Sequence, residues 1–149
     1  MNEQKIKKSR ASIGKNNKRK GSNYERLWVK RFKDIGYSFA KTSRLASRLL
    51  DNSNVDVAFI PYNLQCKNVK ANIKYTEIFK EIEEDLKKNF PPHDVQHTYP
   101  IVIAHKRGRT KDEEHVIMKA EDFIKLVKSQ QLVDKYIETY YIKNESNNT

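Results

Sequence analysis

Residues Tyr99–His105 read YPIVIAH. The four consecutive apolar side chains Ile101–Ala104, preceded by Pro100 and followed by a basic turn, fit a strand buried on both faces. Such a strand needs partners in its own sheet and a layer above and below it, so the rest of the chain must supply them. Helix signals run from Asn23 to Ile35, opened by Ser22 and ended by Gly36 as a C-cap. Strand signals follow at Tyr37–Thr42, Val55–Ile60 and Leu64–Val69. A charged helix over Tyr75–Asn89 stops at Pro91-Pro92. A short strand His115–Met118 follows the turn KRGRTKDEE, then helices over Ala120–Ser129 and Leu132–Tyr140. The order αβββαββα with a further C-terminal helix contains no repeat, and predicts an α/β fold with a mixed sheet flanked by helices.

Charge narrows the function. The 149 residues carry a formal charge of +11, with 33% charged and 37% hydrophobic side chains. That balance favours a polyanionic partner, nucleic acid first, over a merely solvated basic surface. The opening segment MNEQKIKKSRASIGKNNKRKGS is dominated by lysine and arginine, with Glu3 as its one acid and no apolar periodicity. It reads as a flexible basic arm over 1–21, with Lys18, Arg19 and Lys20 as phosphate contacts. The main domain is expected over 22–143 and a disordered tail over 144–149. A single cysteine, Cys66, excludes an internal disulfide and fits a reducing compartment. No apolar run is long enough for a membrane span, and the polar start is no signal peptide. A soluble, cytoplasmic protein is the expectation.

Three polar residues stand out in the segment NVDVAFIPYNLQCKN: Asp56, Gln65 and Lys67. If Pro61-Tyr62 is a two-residue connection, Asp56 lies opposite Lys67 and Ala58 opposite Gln65. Asp56, Gln65 and Lys67 then share one face of a hairpin, with Val55, Val57, Phe59, Leu64 and Cys66 on the other. On a helical wheel, Glu25 falls close to Val29 and Phe32 and not far from Trp28, on the apolar stripe. The competing account is that Ser22-Asn23-Tyr24-Glu25 forms a capping box and Glu25 folds back on its helix start. For the hairpin residues the competing account is a solvated polar strip.

Metal-assisted phosphodiester hydrolysis is the chemistry that uses such a set. Mg²⁺, or Mn²⁺, takes oxygen ligands from Glu25, Asp56, the Gln65 amide and the Cys66 backbone carbonyl. Lys67 supplies a cation for the attacking water or the developing charge. Asp51, in the loop before the strand, is a second candidate ligand, though Asp and Asn also cluster in turns for their own reasons.

The string VDVAFIPYNLQCKN resembles the D-x(n)-(E/Q)-x-K core of the PD-(D/E)xK nuclease superfamily. The preceding GSNYERLWVKRFKDIGYSF is similar to the first helix and strand of archaeal-type Holliday junction resolvases and their phage relatives. The later alternation IVIAHKRG…EEHVIMKAEDFIKL is similar to their later strands and helix. The resemblance covers about residues 20 to 128. It implies a restriction-endonuclease-like fold, an Mg²⁺-dependent endonuclease acting on branched DNA, and Glu25, Asp56, Gln65 and Lys67 in the catalytic places. The twofold symmetry of a four-way junction favours a homodimer. Two positions depart from the pattern: Gln65 replaces the usual acid, removing one negative charge, and Val55 replaces a proline. A nuclease for other DNA, or a DNA-binding protein that kept the fold without catalysis, are the alternatives.

Other residues have simpler readings. Arg44 and Arg48 precede Asp56 and are placed on phosphate near the cut; Lys106, Arg107 and Arg109 are placed on backbone phosphate or in a solvated turn. His93, His97, His105 and His115 lack the cysteine-rich spacing of structural zinc. Trp28, Phe32, Tyr136, Tyr140 and Tyr141 read as core or interface aromatics, and KEIEEDLKK as an exposed helix face.

Overall fold

The computed structural model describes residues 3–146. By its internal contacts the chain divides between Ile117 and Met118 into two units, within the span 22–143 that the sequence groups as one domain. The architecture is mixed α/β, with two small sheets and flanking helices. Among the described residues, no helix is long and apolar enough to cross a membrane.

The first unit opens with α1, Glu3–Asp34. This corrects the expected helix start at Ser22: the basic segment is helical from Glu3 onward, and Ser22 lies inside the helix, so it cannot cap it. Lys and Arg are good helix formers, and no proline interrupts them. Gly36 closes α1 as expected. Its φ of +112° is a left-handed conformation that suits glycine. Its N–H donates to the Lys33 carbonyl, and the Tyr37 N–H reaches back to Phe32, the paired bonds of a Schellman motif. The Phe32 and Tyr37 rings, 5.7 Å apart, make the apolar contact that goes with it.

That cap and the turn after it use the backbone of residues 36–40. The expected strand Tyr37–Thr42 therefore shrinks to β1, Lys41–Thr42. The segment expected as a polar loop forms two short helices instead, α2 (Ser43–Ala46) and α3 (Arg48–Asn52). Ser47 caps α3 by accepting from the Leu50 N–H.

The expected strand Val55–Ile60 is only β2, Val57–Ala58, and it pairs antiparallel with β1: Lys41 with Ala58, Thr42 with Val57. Phe59 has φ +64°, which breaks the extended run. It is also 58% exposed rather than packed. β3, Asn63–Asn68, does not form the expected hairpin ladder with this segment; it runs parallel to β4, Ile101–Lys106. The register pairs Asn63 with Ile101, Gln65 with Ile103 and Lys67 with His105.

A parallel pair needs a long crossover, here supplied by α4, Tyr75–Asn89. Phe79, Ile82 and Leu86 line its buried face and meet Leu50, Val55, Ala58, Ile101 and Ile103 in the core. β4 is the central strand of the second sheet, between β3 and β5 (Glu114–Met118). It is buried from Ile101 to His105, as the apolar run requires.

In the second unit, α5 is one helix, Ala120–Ser146, where two were expected. Gln130 and Gln131 continue it, since glutamine is a good helix former, and Gln130 donates to Asp134 one turn on. The expected tail is thus helical at 144–146, and 147–149 lie outside the described residues. Tyr136, Tyr140 and Tyr141 are 57–71% exposed, so none of them is a core residue within this unit.

Candidate active site

β3 lies at the edge of its sheet, so one row of its backbone groups is free of β4. Along a strand, the N–H and C=O of one residue leave on the same side and those of its neighbours on the other. Leu64 and Cys66 present their groups to the free edge, and Asp56 occupies it. The Asp56 N–H donates to the Leu64 carbonyl at 2.7 Å. The Cys66 N–H donates to Asp56 Oδ2 at 2.6 Å. The Asp56 carbonyl in turn accepts from the Ser43 N–H at 2.9 Å, tying α2 to the same point. Asp56 therefore meets β3 at its edge, level with Gln65, rather than across a hairpin opposite Lys67. The cause is the break at Phe59 together with the capture of β3 by β4.

Burial pushes the Asp56 carboxyl up to about 7, against the Cys66 hydrogen bond; the Glu25 and Asp51 charges raise it further, while Lys67 lowers it. A carboxylate that is desolvated and faces like charges holds its negative form poorly unless a cation is supplied. Glu25 does not fold onto its helix start. Its side chain, 15% exposed, faces Arg44 of α2, with Oε1 3.8 Å from Nη2. Gln65 is buried at 7% exposure, on the strand face it shares with Lys67, Ile101 and Ile103. Asp51, on α3, is exposed and contributes charge from outside.

Among the described residues, no three His, Cys, Asp or Glu side chains are grouped so as to hold a metal. The donors at hand are two carboxylates, the Gln65 amide and the Cys66 carbonyl, which alternation directs to the same free edge as its N–H. Mg²⁺ is commonly held by one or two carboxylates together with phosphate oxygens and waters. Two carboxylates, an amide and a backbone carbonyl near a half-buried, under-compensated Asp56 are oxygen donors of the kind that requirement calls for.

The phosphate-contact candidates are spread more widely. Lys18, Arg19 and Lys20 are exposed on α1, and Arg44 and Arg48 on α2 and α3. Lys106 ends β4 half-buried. Arg107 Nε donates to the Lys70 carbonyl at 3.2 Å, which fixes its stem, while Arg109 is exposed.

Two features escape the sequence reading. Ser43 is fully buried and its Oγ has no hydrogen-bond partner. Its closeness to Asp56 arises from the short helix α2, whose signal is confined to a few residues. The other is a cluster around Glu114 on β5. Arg31 of α1 grips it with two bonds, 2.6 and 2.9 Å, and the Tyr24 hydroxyl donates to it at 2.8 Å. The Arg31 bond holds the Glu114 carboxyl below its ordinary range. Burial pushes the Tyr24 phenol and the nearby Cys66 thiol up. Trp28 stacks beneath Arg31 with 4.8 Å from guanidinium to ring centre. This cluster fixes the turn of α1 that carries Glu25; the residues are 83 and 90 positions apart in sequence, and no local pattern marks them.

No protein-family model matches this chain, and neither a curated protein sequence nor a solved structure matches it with significance.

Proposed function

We propose that this protein is a Mg²⁺-dependent, structure-selective DNA endonuclease that resolves four-way junctions, with a restriction-endonuclease-like domain. The reading is supported above all by one observation: Asp56 is bonded to the edge of β3 at Leu64 and Cys66, level with Gln65, with its carboxyl pushed up to about 7 by burial and in part by the Glu25 charge. A half-buried carboxyl raised in this way is a candidate for a functional site.

Glu25, Asp56, Gln65 and the Cys66 carbonyl are the groups that would hold Mg²⁺, with Mn²⁺ as a substitute. The ion, when bound, acidifies water and offsets charge on the phosphate. The chain's own parts do the rest. Lys67, whose charge lowers the Asp56 carboxyl, would orient a water through Nζ or donate to a phosphate oxygen as charge builds there. Arg44, half-exposed, is shared between Glu25 and the solvent side, where a scissile phosphate can take its second donor. The Cys66 N–H locks the Asp56 carboxylate in one orientation, so positioning is built in before substrate arrives. Arg48, Lys106, Arg107 and Arg109 act as phosphate contacts without reading sequence.

The test is incubation with a four-way junction and a matching linear duplex, with and without Mg²⁺. Symmetric nicks in the junction alone, only with the ion, are the expected result. Cleavage of the linear duplex at equal rate would replace this reading by a nuclease for other DNA. Tight binding without any cut would leave a DNA-binding protein in which Gln65 stands where a catalytic acid is needed. A homodimer is expected on a twofold-symmetric junction and is measurable by light scattering.

A further inference from the structure

Helix α1 carries more than a basic start. At about 100° per residue, Lys15, Arg19, Ser22, Arg26 and Lys33 fall within an arc of about 60°. All four cations are exposed. Lys18 flanks the stripe, and Lys15, Lys18, Arg19, Ser22 and Arg26 line a shallow depression along it. The opposite side of the helix is the packed one, with Tyr24 at 2% exposure. From Lys15 to Lys33 the stripe spans about 27 Å, at about 1.5 Å per residue. Between Lys15 and Arg26 the only acid is Glu25; it lies about a quarter-turn away and faces Arg44.

We propose that this face of α1 is a continuous cationic rail that holds a duplex DNA arm by its phosphates, in fixed register with the Asp56 site. The proposal rests on the nuclease reading only for the identity of its ligand as DNA. Charge complementarity selects a polyanion, since one strand of a duplex offers a phosphate every ~3.4 Å of axis, some eight along this rail. The stripe has no aromatic side chain on which an unpaired base could stack, so it suits a duplex over a single strand. It also lacks the large apolar side chains that a membrane-surface helix or a protein hot spot would present. Arg26 adjoins Glu25 in sequence, and Arg44 stands beside Glu25, so the track of cations leads from the rail to the site. Unlike a flexible arm, a helical rail depends on its phase.

The experiment measures binding of the full-length chain to a DNA duplex by fluorescence anisotropy, in EDTA so that nothing is cut, over a series of salt concentrations. Lys15→Gln/Arg19→Gln/Arg26→Gln is compared with Lys80→Gln/Lys87→Gln/Lys88→Gln, which removes the same charge from α4. The rail predicts that the first triple flattens the slope of log K against log salt by about 2 to 3 and the second by well under 1. Two alanines inserted after Gly21 rotate Lys15 and Arg19 by about 200° against Arg26; seven inserted residues return them to within about 20°. The first insertion should weaken binding at least fivefold and the second restore it to within twofold. Equal slopes for the two triples, equal binding by both insertions, or a preference for single strands, RNA duplexes or anionic vesicles would overturn the rail. A separate junction-cleavage assay in Mg²⁺ reads the nuclease proposal: binding that follows the rail without any cut would defeat that proposal alone, and cutting that ignores these changes would defeat the rail alone.

Discussion

Asp56 carries a burden that an ordinary loop aspartate does not. Its carboxyl titrates near 7 in the folded chain, against 3.8 for the free group. The folded state therefore binds the proton more tightly than the unfolded state between those values. Its stabilising effect is fully present below about pH 4 and is lost as pH rises through 7, on the order of a few kcal/mol. In EDTA, urea unfolding should show stability falling over that window, and Asp56→Asn should remove the decline and raise stability at pH 8. Adding Mg²⁺ at pH 8 should stabilise the wild type and leave Asp56→Asn unmoved; an unchanged midpoint in both would mean that no cation relieves this carboxylate. Gln65, a neutral residue in a buried strand position, gives a second prediction. Gln65→Glu should keep or raise the cleavage rate in Mg²⁺, since it adds a negative oxygen ligand; a loss beyond tenfold would assign the amide another task.

At the scale of elements, the site depends on the placement of α1 against the second sheet. Arg31 and Tyr24 hold α1 to Glu114 of β5, and the Glu114 side chain is only 10% exposed. Glu114→Ala would strand a half-buried guanidinium and a buried hydroxyl, at a cost of about 2 kcal/mol, read as a lower urea midpoint. Gly14 and Gly21 make the opposite prediction. Both sit inside α1, and a Cβ at either would meet nothing within 4 Å. Gly14→Ala with Gly21→Ala should raise helicity by circular dichroism, with about 0.5–1 kcal/mol gained at each position. An unchanged spectrum would mean that this part of α1 does not persist as a helix.

Much of this element map was legible in the sequence. The Pro-Pro stop gave α4 its end, Gly36 ended α1, and YPIVIAH held a buried strand, though β4 starts only at Ile101. The partnership of β3 was not legible. A turn-like Pro61-Tyr62 suggests a hairpin, and only the tertiary structure reveals that Phe59 leaves the extended region and that β4 takes the pairing edge. Likewise Ser22-x-x-Glu25 has the form of a capping box, yet α1 starts at Glu3 and runs through it despite Gly14, Gly21 and two asparagines upstream. For the candidate site, Glu25, Asp56, Gln65 and Lys67 could be nominated from residue type and spacing. The edge contact through Cys66 N–H and the distant Glu114 clamp could not.

For the molecule as a whole, the charge of +11 and the oxygen donors near Asp56 would serve different parts of the proposed task. On the proposed reading, phosphate attraction gives affinity that is sequence-independent and falls steeply with salt, while Asp56 with Glu25, Gln65 and Lys67 would add the chemistry. If the two functions are separable, removing the chemistry leaves the affinity in place. The measurement that tests this most directly is single-turnover cleavage of a four-way junction in Mg²⁺ by the wild type and Asp56→Ala, alongside junction binding by both in EDTA. A rate loss of at least about a thousandfold, the scale at which loss of a catalytic electrostatic group is felt, with dissociation constants within threefold, is the predicted result. Equal cleavage by the two proteins would contradict it and take Asp56 out of the site.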